Sequence, residues 1–135
     1  MTFHLQVVTP DGLAFEGEAE KLSVRTQEGI IGILPRHIDY VAPLGMGEAV
    51  ITDSEGKEHR AACIGGMVAV HNGKVRLVAT TFEWAEKIDL ARAKEAEQRA
   101  RSAMERNGIS ERDLKLAEAK LHRSLVRQAV GRKKR

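Results

Sequence analysis

Over the first eighty residues the apolar positions alternate with polar ones. Phe3, Leu5 and Val7 are separated by polar neighbours, and Pro10-Asp11-Gly12 follows, so a strand with one buried face running into a turn is predicted there. Residues 13–15 and 19–25, the latter with Leu22 and Val24 on one face, predict a second strand pair. Further strands are predicted over residues 30–34, 48–52 and 59–64. The sharpest signal is Asn72-Gly73 between residues 67–71 and 74–78, because Asn-Gly accepts the positive φ values of a two-residue hairpin turn. Gly65-Gly66 and Gly45-Met46-Gly47 allow a bulge or a close strand approach. Short strands with closely spaced turn signals predict an antiparallel β-sandwich, or flattened barrel, over residues 1–83.

After Phe82 the period changes. Ala, Glu, Lys and Arg dominate residues 84–135, which is helix composition. Asp89 is placed to cap a helix whose face carries Leu90, Ala93, Ala96, Ala100, Ala103 and Met104, and Gly108 supplies a left-handed exit. Ser110 and Asp113 have the spacing of a capping box. They open a second helix with Leu114, Ala117, Leu121, Leu125 and Ala129 on its apolar stripe, ending near Gly131. The short Asn107-Gly108-Ile109 link predicts an antiparallel hairpin. The fold class is therefore α+β, with a β domain at 1–83 and a helical hairpin at 84–135. A stripe made mostly of alanine buries little area, so the hairpin is expected to be weakly held and able to open.

Composition sharpens this division. Among 135 residues only 4% are aromatic, so the core must rest on Val, Ile, Leu and Ala, and a base-stacking platform is disfavoured. The formal charge is +3, but it is unevenly spread. Residues 1–88 hold 8 Lys/Arg against 12 Asp/Glu, residues 89–110 hold 5 against 4, and residues 111–135 hold 9 against 3. The basic character belongs to the C-terminus. No apolar run has a membrane-spanning length and no export signal opens the chain, so a soluble, non-exported protein is expected. Cys63 stands alone in an apolar run and reads as a buried, inert thiol.

Catalytic patterns are missing. There is no phosphate loop, no G-x-G-x-x-G, no nucleophile elbow, and no pair among His4, His37, His59, His71 and His122 at a metal-ligand spacing. No metal site and no enzymatic activity are expected. Leu34-Pro35-Arg36-His37 is the one loop of the β domain where Pro, Arg and His gather, and it reads as an exposed turn or a binding loop.

Four ordered segments carry a resemblance. Residues 28–44 (EGIIGILPRHIDYVAPL), residues 7–12 (VVTPDG), residues 65–75 (GGMVAVHNGKV) and residues 88–93 (IDLARA) resemble, in that order, signatures of the epsilon subunits of bacterial F-type ATP synthases. The last resembles the I-D-x-x-R-A nucleotide-binding signature of bacillus-type members. The resemblance covers essentially the whole chain. It implies a non-catalytic rotor subunit whose β domain sits beside the gamma subunit and the c-ring, on the cytoplasmic face of the cell membrane. It also implies a mobile hairpin that extends into the catalytic head of alpha and beta subunits and blocks ATP hydrolysis. The rotor contact would fall on Ile30, Ile31, Arg36 and His37. Many relatives carry an acid between the glycines where this chain has Ile30 and Ile31, so an acid-dependent contact is not expected. Relatives also carry a Gly-His-Ala/Ile-Pro run where this chain has Arg36-His37-Ile38-Asp39.

A site for ATP without a phosphate loop needs several cationic forks. Arg92 and Arg99 share one face of the first helix, and Arg123 and Arg127 share one face of the second. By resemblance Glu83, Ile88 and Asp89 would line the adenosine end, with Arg92, Arg99, Arg123 and Arg127 toward the phosphates, the second-helix pair being carried over with a one-residue shift. ATP would act as a regulatory ligand, with or without Mg²⁺, and no cofactor is required. Read without the resemblance, Asp89 is a helix cap and the arginines are a solvated face. The basic surface of Lys120, Arg123, Arg127, Arg132, Lys133, Lys134 and Arg135 suits an anionic partner. The resemblance gives that partner as an acidic segment of the catalytic beta subunit, met by Lys120, Arg123 and Arg127. The alternatives are nucleic-acid or anionic-membrane binding by the same tail, or a small enzyme that uses the β domain as a ligand barrel with His37 near the site.

Overall fold

The structure, a computed structural model, describes residues 1–133. The chain falls into two compact units, Met1–Trp84 and Ala85–Arg135.

The first unit contains seven strands: β1 (Phe3–Thr9), β2 (Gly12–Thr26), β3 (Gly29–Ile33), β4 (Tyr40–Pro43), β5 (Met46–Asp53), β6 (Glu58–His71) and β7 (Lys74–Trp84). They are ordered β1-β7-β6-β5-β2-β3, and β1 also pairs with β2, so the sheet closes on itself as a flattened barrel. All pairings are antiparallel except β1 with β7, where Leu5 faces Val75 and Val7 faces Leu77. The predicted strand pair at residues 13–15 and 19–25 is one continuous strand. β2 is long enough to serve β1 with its first half and β3 and β5 with its second.

Alternation decides which side chains are inside. Phe3, Leu5 and Val7 of β1 meet Leu22, Val24, Ile33, Ile51, Val68, Val70, Val75 and Leu77 in one buried cluster. Wholly buried Leu, Ile and Val side chains contribute about 1.5–3 kcal/mol each. β6 passes from β5 to β4 at Gly65-Gly66, where Gly65 N–H donates to the Gly45 carbonyl and Leu44 N–H to that of Gly66. Gly66 has φ 111°, and a side chain there would run into the Val78 carbonyl. The Asn72-Gly73 turn has φ of 49° and 76° at its two residues, as a two-residue hairpin requires. Cys63 is buried, and burial pushes its thiol up to about 12, so it stays protonated and unreactive at neutral pH.

The second unit opens with a 3₁₀ turn at Ala85–Lys87 and continues as α1 (Leu90–Met104) and α2 (Glu111–Gly131). The Asp89 carboxylate accepts the Arg92 N–H at 3.1 Å, and the Ser110 hydroxyl accepts the Asp113 N–H at 3.1 Å. Gly108, φ 72°, makes the turn between them. No helix of the described residues is long and apolar enough to cross a membrane.

The inner face of α2 differs from the predicted stripe. Ala117, Ser124, Gln128 and Val130 are buried, whereas Leu125 and Ala129 face solvent. Alanines on α1 bring the two helices close, and two polar side chains fit the narrow seam because each finds a partner. Ser124 donates to the Leu121 carbonyl at 2.7 Å, and Gln128 donates to Glu97 at 2.8 Å.

Candidate functional site

The hairpin has two faces of different chemistry. On one, the Glu97 carboxylate accepts Gln128 Nε2 at 2.8 Å through Oε1 and Arg101 Nε at 2.8 Å through Oε2. The Gln128 bond first, and then the Arg101 bond, hold the Glu97 carboxyl below its ordinary range. On the other lies a groove of about 570 Å³ with alanines along it, including Ala96, Ala100, Ala103 and Ala117. Arg99 of α1 and Arg106, just past the end of that helix, line it with Lys120, Arg123 and Arg127 of α2. Asp113 is the one acid in this lining.

This is a strongly cationic groove. Among the described residues no ion pair is recorded for Arg99, Arg106, Lys120 or Arg123. Guanidinium and ammonium groups gathered over a small apolar floor favour a multiply charged anion, since each can add a charge-assisted hydrogen bond.

The expected nucleotide residues are distributed unevenly. Arg99, Arg123 and Arg127 line the groove together, joined by Lys120. Arg92 is exposed on the first turn of α1, outside that lining, and Asp89 caps the same helix. Ile88 is buried at the base of the hairpin, where the end of α2 is so close that a Cβ on Gly131 would stand 3.0 Å from Ile88 Cγ2 and 2.8 Å from Leu90 Cδ2. Glu83 belongs to β7 of the first unit, opposite Ala62 in the ladder. Arg106 was not among the expected residues, and it joins the lining from the turn just past the end of α1. Of the expected basic tail, Arg132 and Lys133 are exposed, while Lys134 and Arg135 lie outside the described residues.

The β domain presents a second candidate surface. Ile30 of edge strand β3 is 68% exposed, whereas Ile31 turns inward and packs against the core. Arg36 is exposed with φ 66°, in a turn closed by the His37 N–H to the Leu34 carbonyl at 3.1 Å. His37 Nδ1 bonds the Ile38 carbonyl at 2.8 Å, and its ring meets Tyr40 edge-on at 5.9 Å.

A row of aliphatic side chains crosses the solvent face of the neighbouring strands. The register sets Pro43 opposite Met67, Met67 opposite Val78, Val78 beside Val8, and Val8 opposite Leu13. Leu13 is 58% exposed, and Met67 and Val78 are each 43% exposed. Solvent-facing strand positions are normally polar, so an apolar row across five strands stands out as a candidate contact surface. Sequence reasoning passed over it. The signal was present in Met67 and Val78, which break the polar side of their strands' alternation.

Residues 2–85 match the family described as ATP synthase, Delta/Epsilon chain, beta-sandwich domain, and residues 86–130 match its long alpha-helix domain. The ATP synthase epsilon chain of Shouchella clausii is 39% identical over 133 residues, covering 98% of this chain and 97% of that one. That of Halalkalibacterium halodurans is 40% identical over 130 residues, covering 96% and 97%. Among solved structures, a chain of the mitochondrial ATP synthase of Euglena gracilis shares the fold with TM-score 0.84 at 22% identity, covering 95% of this chain and 80% of that one.

Proposed function

The chain belongs to the ATP synthase delta/epsilon family, and from that membership we propose that it is a regulatory epsilon subunit whose hairpin restrains ATP hydrolysis and responds to ATP. It is a non-catalytic member of the rotor of a bacterial F-type enzyme. Its place is peripheral, at the cytoplasmic face of the membrane, and it meets that membrane through the complex.

Rotor contact falls to the β domain. The row from Pro43 to Leu13 offers an apolar face to the gamma subunit, and the segment bearing Ile30, Arg36 and His37 faces the c-ring. Burial of such exposed aliphatic groups gives about 25 cal/mol per Å² of apolar area removed from water. A coupling element in a turning rotor needs a contact of this kind that holds throughout the cycle.

Regulation falls to the hairpin, and the single observation that carries this reading is the groove. Arg99, Lys120, Arg123 and Arg127 gather along it in the closed hairpin. The polyphosphate of ATP, with or without Mg²⁺, neutralises that cluster and favours the closed form by the difference in its affinity for the two forms. The same Lys120, Arg123 and Arg127 meet an acidic segment of the catalytic beta subunit when α2 swings away. One set of charges thus serves two competing states. The seam favours neither strongly, because its buried α1 and α2 positions include the small Ala93, Ala100 and Ala117, and the larger Ile88 and Val130 bury at its base.

The test is hydrolysis by the assembled catalytic head, with the full-length chain and with a truncation ending at Trp84. Inhibition by the full-length chain alone supports the reading. Equal hydrolysis with both chains removes the inhibitory part, and ATP affinity of the isolated protein unchanged by Arg99→Gln with Arg123→Gln removes the sensing part.

A further inference from the structure

The groove is longer than the expected nucleotide residues require. The Glu97–Gln128 bond fixes which positions of the two antiparallel helices face one another. Each residue forward on α1 is then matched by about one residue back on α2. Arg99 therefore lies near the level of Arg127, while Arg106, just past the end of α1, lines the groove together with Lys120. Along α2 seven residues separate Arg127 from Lys120, or about 10 Å, with Arg123 between. Both levels line one cavity.

We propose that Arg106 and Lys120, at the tip end of this groove, bind the outermost phosphate of a polyphosphate chain and so set which chain lengths the hairpin responds to. The proposal rests on the nucleotide reading for its direction, with the nucleoside toward Ile88 and Asp89 at the base. Arg99, Arg123 and Arg127 then receive the inner phosphates, and a third phosphate is directed toward the tip. Among the described residues no ion pair ties Arg106 or Lys120 to an acid, and Asp113 is the one acid of the lining against five cations. Like charges along a partly enclosed groove repel. An anion that stops at the inner level leaves Arg106 and Lys120 uncompensated, whereas one that reaches the tip relieves both levels.

The experiment is calorimetric titration of the full chain with ATP, ADP, inorganic triphosphate and pyrophosphate. Wild type is compared with the double variant Arg106→Gln/Lys120→Gln and with a control of equal charge change outside the groove, Lys94→Gln/Arg112→Gln. Loss of two charge-assisted contacts is expected to weaken ATP about tenfold or more in the groove variant. ADP should weaken only about twofold to threefold, the share left to long-range charge. The control should move both nucleotides equally and little. Equal proportional losses for ATP and ADP, or a control loss matching that of the groove variant, would overturn the proposal. If wild type binds neither nucleotide, the nucleotide reading fails and the inorganic ligands decide. Triphosphate binding lost selectively at Arg106 and Lys120 keeps the chain-length reading, and absence of triphosphate binding to wild type removes it.

Discussion

Gln128 reaches across the hairpin to Glu97 and donates a 2.8 Å hydrogen bond between residues 31 positions apart. Gln128 is 7% exposed, so its amide is costly to leave without a partner. Glu97→Ala removes that partner. Amide exchange in the second half of α2 should then quicken several-fold while the strands keep their protection. Unchanged exchange across residues 124–130 would show that the bond does not hold the hairpin shut.

The same contact gives the hairpin a pH dependence. The folded pKa of Glu97 is lowered by Gln128 and Arg101. Its contribution is therefore complete above the ordinary Glu value of about 4.3 and is lost as pH falls through the folded value. Helical signal monitored between pH 7 and pH 3 should fall in the wild type and fall less in Glu97→Gln, which cannot ionise. Parallel curves for the two proteins would refute the assignment.

Arg36 occupies φ 66°, a region where a residue with a Cβ is strained and glycine is not. Arg36→Gly should stabilise the β domain by up to about 1 kcal/mol, raising its melting temperature by a few degrees. In the assembled enzyme the same change removes a charge from the surface assigned to the c-ring. Tighter folding with weaker assembly would fit a side chain kept for contact, and a lower melting temperature would contradict the backbone argument.

Gly131 gives a prediction whose sign is informative. As an ordinary helix residue, leucine there would strengthen α2, because glycine costs about 1 kcal/mol relative to a good helix former. The close approach to Ile88 and Leu90 predicts the opposite. Gly131→Leu should open the base of the hairpin at a cost of about 1–3 kcal/mol, read as faster exchange at Ala93 and Val130. Slower exchange at those amides would mean that the helix-propensity gain prevails.

Much of this was legible in the sequence where the causes are local. The Asn72-Gly73 turn needs only its own backbone freedom, and Asp89 and Ser110 cap helices through atoms three residues away. β4 escaped notice because Tyr40–Pro43 is short, ends in proline and exists through pairing with residues 67–70 far along the chain. The polar seam of α2 was unreadable for a similar reason. Hydrophobic periodicity ranks Leu125 above Gln128, and only the facing Glu97 reverses that order. In the groove, Arg99, Arg123 and Arg127 could be brought together from helical spacing alone and Lys120 was legible beside Arg123 and Arg127 as one basic surface, while Arg106, past the end of α1, joins the lining only through the turn between the helices.

Because β1 lies between β2 and β7, the barrel cannot close during synthesis until residues 74–78 have left the ribosome. An early β1–β2 hairpin must wait through some sixty residues for its parallel neighbour. Everything made after Trp84 then emerges behind a finished barrel and supplies none of its strands. A protease that trims the helices therefore leaves a complete β-structure, and selection can reshape the C-terminal third without endangering the rest.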